Sequence, residues 1–245
     1  MKIKLQNVCK TFGRQRVLDH LDLDIASRKI TYIIGQSGGG KSVLLKHIIG
    51  LIKPDSGRIF VDDTDMCTLR ERELNDIRKN FGMLFQEAAL FDSMTVGDNV
   101  AFPLKEHTRL PPKEIDQIVE AKLQQVGLTD VSHKMPAELS GGMRKRVGLA
   151  RAIALDPKII LFDEPTTGLD PLMCDAVDQL IADTQQQTGA TCVVISHDIE
   201  STFKIAHHVA MLYGGRIIEF GTPDDIKASK NEYVQRFITG KHERS

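Results

Sequence analysis

The chain has 245 residues with 32 basic and 33 acidic side chains, a formal net charge of -1 and 41% hydrophobic residues. That near-balance provides no global field for nucleic acid or anionic membranes, and the length suffices for one large domain with a sizeable core. No apolar run reaches membrane-spanning length, no signal peptide is read at Met1, and Cys9, Cys67, Cys174 and Cys192 lack metal or redox spacing, so a soluble cytosolic protein that meets a membrane only through a partner is expected.

Ile3, Leu5 and Val8 predict a strand, Thr11 to Gly13 a turn, and the alternation from Val17 to Ile25 a second strand, together an antiparallel hairpin. Phe12 at the turn is either a core aromatic, which spacing favours, or a flat face for an adenine ring. Lys29 to Ile34 is an apolar run that predicts a buried strand, and Val43 to Ile49 predicts a helix. Between them lies Gly35-Gln36-Ser37-Gly38-Gly39-Gly40-Lys41-Ser42. Strand, glycine loop and helix are the context of a phosphate-binding P-loop, in which backbone amides and the helix N-terminus face an anion. Lys41 is placed to reach the β- and γ-phosphates, and the Ser42 hydroxyl to ligate Mg²⁺. A mere glycine turn gives Lys41 and Ser42 no role.

Lys53 to Gly57 predicts a turn, Arg58 to Val61 a strand, Leu69 to Lys79 a short surface helix, and Phe81 to Phe85 a buried strand ending at Gln86, by itself an ordinary surface residue. From Glu87 to Leu155 helix signals replace strand signals. Pro112 opens a helix with Ile115, Ile118, Val119, Leu123 and Val126 at helical spacing, closed by Gly127. Ser140 then N-caps a helix whose start, Gly141 and Gly142, bares amides for a second anion. Arg144, Lys145, Arg146 and Arg151 read most simply as a solvated face, or as charge favouring that anion.

Lys158 to Phe162 predicts a strand buried on both faces, hence a parallel sheet. Asp163 and Glu164 stand at its C-terminal end, where open α/β sheets bind ligands; Asp163 can hold Mg²⁺ and Glu164 can deprotonate a water. Thr167 to Pro171 turns into a helix with Leu172, Ala176, Leu180 and Ile181. Ala190 to Ile195 predicts another buried strand, followed by Ser196-His197-Asp198; a lone His is more often structural, but this one ends a third strand of the sheet. Two further strands surround Gly214-Gly215, Thr222 starts a helix, and the tail from Lys241 to Ser245 is expected to fray.

In this order the motifs resemble an ABC-type ATPase domain. Gly35 to Ser42 match its Walker A, Leu139 to Met143 its signature, Ile159 to Glu164 its Walker B, Gln86 its Q-loop, Thr167 to Asp170 its D-loop and His197 its switch histidine. Met143 stands where many members carry Gln, with little expected effect. The resemblance implies an α/β P-loop NTPase fold: a mostly parallel core sheet, an N-terminal antiparallel β subdomain and a helical signature subdomain. The division implied is a catalytic core at 1–86 and 156–225, a helical subdomain at 87–155, and a C-terminal helix and tail at 226–245. It implies ATP and Mg²⁺ as ligands. Phe12, Gly35 to Ser42, Gln86, Ser140, Gly141, Gly142 and Asp170 would bind nucleotide. Ser42, Gln86 and Asp163 would surround the metal, and Lys41, Glu164 and His197 would serve hydrolysis. It also implies a head-to-tail homodimer with each ATP between Walker A of one copy and the signature of the other.

Phe85 to Val96, Asn99 to Leu104, Lys41 to Lys46 and Leu139 to Val147 are more closely similar to the ATPase subunits of MCE-type phospholipid transporters. This implies ATP-driven phospholipid movement between inner and outer membrane that maintains outer-membrane lipid asymmetry. It further implies a peripheral place on the cytoplasmic face of the bacterial inner membrane, an integral membrane permease, an MCE-domain protein, a small STAS-domain protein, and no nucleic acid. Rival readings are another ABC importer or exporter, a nucleic-acid-handling ABC ATPase, and a P-loop kinase. The nucleic-acid reading lacks a long heptad array or basic stripe between Lys41 and Ser140, and the kinase reading leaves Ser140 to Gly142 without a role.

Overall fold

The computed structural model describes residues 1–240; the tail expected to fray lies outside them. The chain opens with β1 (Ile3–Phe12) and β2 (Gln15–Ile25), followed by β3 (Ile30–Ile34), α1 (Lys41–Ile48), β4 (Ser56–Val61) and β5 (Thr64–Asp65). Next come α2 (Glu71–Arg78), β6 (Phe81–Leu84), α3 (Val96–His107), α4 (Pro112–Gln125), a 3-10 turn at Pro136–Glu138, and α5 (Gly141–Ala152). The remainder is β7 (Ile159–Asp163), α6 (Pro171–Thr188), β8 (Thr191–Ser196), α7 (Ile199–Ile205), β9 (His208–Tyr213), β10 (Arg216–Gly221), α8 (Pro223–Lys227) and α9 (Glu232–Thr239).

Two sheets result. The expected hairpin is antiparallel, with Ile3 opposite Ile25 and Leu5 opposite Leu23, and it extends into a four-stranded sheet of order β2-β1-β4-β5. The second sheet has the order β10-β9-β3-β8-β7-β6; its strands are parallel except for the edge pair β10 and β9. Its central strands β3, β7 and β8 are almost wholly buried and mainly apolar because both faces are covered, whereas the edge strand β10 is only partly buried. Period-two geometry divides them between two cores. Tyr32, Ile34, Ile160, Phe162 and Val194 pack with the helical layer, including Val100, Val119 and Val147. Ile33, Leu161, Val193, Ile195 and Leu212 pack with α1 and the antiparallel sheet, including Leu44, Leu5 and Ile59.

Register brings the site together. Ile34 pairs with Ser196, Asp163 with Ile195, and Leu84 with Phe162. The chain leaves each of these strands at the same edge, so the glycine loop, the Asp163-Glu164 pair, His197 and Gln86 all follow strands that end together.

Two helices were not marked by the sequence pattern. In α3, Thr95 caps Asp98 N–H, yet Pro103 sits inside the helix and its apolar residues run almost continuously, which obscures helical periodicity. α7 has only seven residues; its signal is the cap, in which the Asp198 side chain accepts from Ser201 N–H.

Candidate functional site

The loop after β3 shows why it is built of glycine. A Cβ on Gly35 would stand 2.3 Å from the Leu212 carbonyl oxygen, so β3 and β9 could not approach as they do. Gly40, the residue before α1, has φ 98°, and a Cβ there would stand 3.0 Å from Val17 Cγ1. The first turn of α1 has neither a side-chain cap nor an acidic residue. Its leading amides and dipole therefore remain available to an anion.

Lys41 is 4% exposed, and its ammonium donates to the carbonyls of Gly35 (2.9 Å) and Gln36 (3.1 Å). Glu164 Oε1 stands 3.7 Å away. Burial pushes the Lys41 ammonium below the ordinary lysine range, and Glu164 pulls it back up. Next to it, Ser42 Oγ donates to Asp163 Oδ1 at 3.0 Å. Burial raises the Asp163 carboxyl; the Ser42 hydrogen bond opposes that, and the neighbouring Glu164 charge adds to it. A half-buried carboxylate and a hydroxyl are hard oxygen donors that suit Mg²⁺, so this pair fits the metal chemically.

Glu164 is fixed from several sides. Its φ of 49° is left-handed, unusual for a glutamate, and its N–H donates to Ile195 O at 3.0 Å. Thr167 Oγ1 donates to Oε2 at 2.8 Å, and His197 Nδ1 lies 3.0 Å from the same oxygen. His197 is half exposed and immediately precedes the Asp198 cap of α7. Lys41, Ser42, Asp163, Glu164 and His197 thus form one connected cluster, although Ser42 and His197 are 155 positions apart in the chain.

Phe12, Gln86, Ser140, Gly142 and Asp170 have no hydrogen bond or ion pair to this cluster among the described residues. Phe12 is 46% exposed, which removes the core-aromatic reading that spacing favoured, and Lys10 Nζ stands 5.5 Å from its ring centre. Gln86 is exposed beyond β6. Asp170 Oδ1 accepts from Met173 N–H at 3.0 Å and caps α6. Ser140 is exposed and caps α5 by accepting from Met143 N–H at 3.3 Å. Gly142 is buried against α6; a Cβ there would stand 2.0 Å from Met173 Cε.

The solvated basic face expected on α5 needs correction, because tertiary packing overrides the reading from one helix. Lys145 is buried, and its Nζ donates to the carbonyls of Pro165 and Thr167, both at 2.7 Å. Arg151 donates to the carbonyls of Ala89 (2.7 Å) and Ala88 (2.6 Å). Of the four basic residues only Arg144 is exposed. Lys145 is a site-supporting residue that sequence reasoning missed; its one sequence signal is its place between Gly142 and Val147, on the side that packs inward.

Among the described residues, the one cluster with three potential metal ligands is elsewhere: Cys9, Asp19 and His20. There Asp19 is already held by Arg216 (2.6 Å) and Arg16 (2.9 Å), two cations that disfavour a third.

Comparison with known proteins agrees with this geometry. A family model described as "ABC transporter" matches residues 18–167. A Haemophilus influenzae protein named as the intermembrane phospholipid transport system ATP-binding protein MlaF is 44% identical over 97% of this chain and 90% of its own length. A Mycobacterium leprae protein named as a probable ribonucleotide transport ATP-binding protein, mkl, is 43% identical over 98% of this chain and 69% of its own. The dimeric structure of the ATP-binding cassette MJ0796 in a post-hydrolysis state with ADP and phosphate superposes with a TM-score of 0.83 at 31% identity, covering 90% of this chain and 98% of that one.

Proposed function

The chain belongs to the ABC transporter family of ATP-binding proteins, and from that premise we propose that it is the ATPase of a phospholipid transporter, working as a head-to-tail homodimer beneath a membrane permease. ATP hydrolysis to ADP and phosphate follows from the family; the roles below are our reading of the site.

Lys41 exchanges the Gly35 and Gln36 carbonyls for the β- and γ-phosphate oxygens, while the amides from Gly38 to Ser42 face the same anion. Phe12 offers its exposed ring to adenine. Ser42 and Asp163, with Gln86 nearby in sequence to the same sheet edge, would hold Mg²⁺, which supplies charge neutralisation at the phosphates when bound. Glu164 accepts a proton from the attacking water, oriented by Thr167 and His197. His197, half exposed, is placed to contact the γ-phosphate. The bared amides of Ser140 to Gly142 would serve the ATP of the other copy, with Asp170 at the same surface, and the resulting cage is a case of charge stabilisation in a water-excluded site.

The observation that carries the reading is the Glu164 carboxylate, held at one oxygen by Thr167 and His197 and faced at the other by Lys41. Support for a membrane partner comes from an apolar groove of about 440 Å³, lined by Phe85, Ala89, Phe91, Phe102 and Pro103, with Arg78 and Arg151 at its sides. It lies between the β6 edge and the helical segment 87–155 that we read as a subdomain. Phe85 and Phe91 remain 39% and 42% exposed, as an interface patch would leave them. No helix among the described residues is long and apolar enough to cross a membrane, so the transport path is assigned to that partner. An MCE-domain protein and a small STAS-domain protein complete the assembly proposed for the inner membrane.

The test is purification of the complex from detergent-solubilised membranes, partner identification by mass spectrometry, and reconstitution in lipid vesicles. Copurified permease and MCE-domain protein with ATP-dependent phospholipid movement are expected. A polar-substrate permease, or ribonucleotide movement as the name of the mycobacterial relative suggests, overturns the lipid assignment and leaves the ATPase standing.

A further inference from the structure

Lys145 is a buried cation outside the cluster of Lys41, Ser42, Asp163, Glu164 and His197. It stands on α5, 7% exposed, one turn after the Ser140 cap. Its Nζ donates to Pro165 O and Thr167 O, both at 2.7 Å, and no carboxylate pairs with it among the described residues. A buried charge answered by neutral acceptors alone is costly, and an apolar side chain would pack a helix against a loop more cheaply. Packing therefore gives no use for the ammonium; what it grips does.

It grips the loop that leads from Glu164 to α6. Pro165 and Thr166 in this loop are buried, and Gly168 is exposed with φ 77°. Thr167 is held at three atoms. Its N–H donates to Glu164 O at 3.3 Å, its hydroxyl donates to Glu164 Oε2 at 2.8 Å, and its carbonyl accepts from Lys145. The first two bonds tie Thr167 to Glu164 itself, so neither fixes the pair against the rest of the molecule. The third does, because it comes from another element. Two further carbonyls of the loop are held from α6, where Cys174 Sγ donates to Thr166 O (3.6 Å) and Leu169 O (3.8 Å). A thiol is a weak donor, so the ammonium supplies the stronger grip. Without it, the Thr167 carbonyl is released beside a glycine, the residue that resists rotation least. Glu164 Oε2 then keeps His197 at 3.0 Å but loses a fixed hydroxyl, and the carboxylate gains freedom to turn.

We propose that Lys145 is a positioning residue for hydrolysis: by holding the Pro165 and Thr167 carbonyls it fixes the Thr167 hydroxyl on Glu164 Oε2, and with it the direction of the carboxylate. The proposal rests on the reading of Glu164 as the base that accepts the proton of the attacking water.

The experiment measures steady-state ATPase kinetics of the full chain in complex with its membrane partner, normalised to folded protein. The variants are Lys145→Met, Lys145→Gln, Thr167→Val, the double variant Lys145→Met/Thr167→Val, and Glu164→Gln. Lys145→Met keeps the arm and removes the donors; it should lower kcat about five- to tenfold and leave KM for ATP within about twofold, because it disturbs the transition state and not binding. Lys145→Gln returns an amide with two N–H donors, neutral and of similar reach, and should recover most of that loss. Thr167→Val keeps the shape and loses the hydroxyl, and should match Lys145→Met. The double variant should be no more than about twofold worse than the poorer single one, since both changes remove the same bond to Glu164. If Lys145→Met does not fold, Lys145→Ala takes its place in the same cycle. A mere brace between α5 and the loop lowers the melting temperature and leaves kcat per folded molecule at the wild-type value, which overturns the proposal. So does a Gln variant as impaired as the Met one. Single effects that multiply in the double variant also overturn it, because they place the work of Lys145 elsewhere, as at the start of α5. Normal hydrolysis by Glu164→Gln strikes the site reading itself; a dead Glu164→Gln beside a fully active Lys145→Met strikes this proposal alone.

Discussion

Glu164 holds a left-handed backbone that costs on the order of 1 kcal/mol for a residue with a Cβ, and the bond from its N–H to Ile195 O holds it there. The result is a carboxylate presented to Lys41 and His197 together. Glu164→Gln keeps that shape and loses the base, so ATP binding should persist while turnover falls about 10²- to 10⁴-fold. Size exclusion with Mg-ATP should then show an accumulated dimer; normal hydrolysis by the variant would assign the base elsewhere. Lys41→Ala removes the buried ammonium that the proposed function assigns to the phosphates, and its turnover should fall by at least about 10²-fold, with weakened nucleotide binding in equilibrium titration. Asp178 offers a test of stability. Its folded carboxyl is raised from 3.8 to about 6, so the charged form is disfavoured in the folded state. The penalty is absent below about pH 4, grows as pH rises to about 6, and is complete above it. Asp178→Asn should therefore stabilise the chain by about 1–3 kcal/mol at pH 7.5 and by almost nothing at pH 4, read by thermal unfolding at both.

The α5 helix joins two functions: its capped start carries Ser140 to Gly142, and one turn later Lys145 bonds to the loop that follows Glu164. Ser140→Arg should spare nucleotide binding by the isolated subunit and block turnover, because in the proposed head-to-tail dimer the altered surface would serve the neighbour's ATP. Mixed with Lys41→Ala, it can form a dimer with one intact composite site, and partial recovery of ATPase is the informative result. Loss of ATP binding in the Ser140→Arg monomer would refute a site in trans. What could be read in advance follows the range of the forces involved. The glycine loop, the Asp163-Glu164 pair and the caps at Ser140 and Thr222 were legible because local backbone chemistry dictates them. Lys145, Arg151 and Asp178 were not, because their partners lie on other elements and nothing in their own helices marks the burial. Spacing alone misread Phe12 as a core aromatic for the converse reason: its exposure depends on what the hairpin leaves uncovered.

Across the molecule, the residues assigned to hydrolysis follow strands that end at one sheet edge, and the groove proposed for a partner is lined by β6 and the end of α5, so on that proposal the two share β6 and α5 as supports. Phe91 and Phe102 rings stack in a tilted pair 4.9 Å apart within that groove, and Arg151 lies 5.9 Å from the Phe91 ring while donating to Ala88 and Ala89. The groove is thus held by the same helix that begins at Ser140.

Lys145 gives this arrangement a kinetic consequence. In a head-to-tail dimer, ATP gripped by the start of α5 belongs to the other subunit, while the ammonium one turn along steadies the base of its own. Occupancy of one nucleotide would then be felt at the opposite catalytic centre, and the velocity curve against ATP would be sigmoidal. The measured Hill coefficient should exceed 1 and fall toward 1 in Lys145→Met, in which the arm remains and the wire is cut.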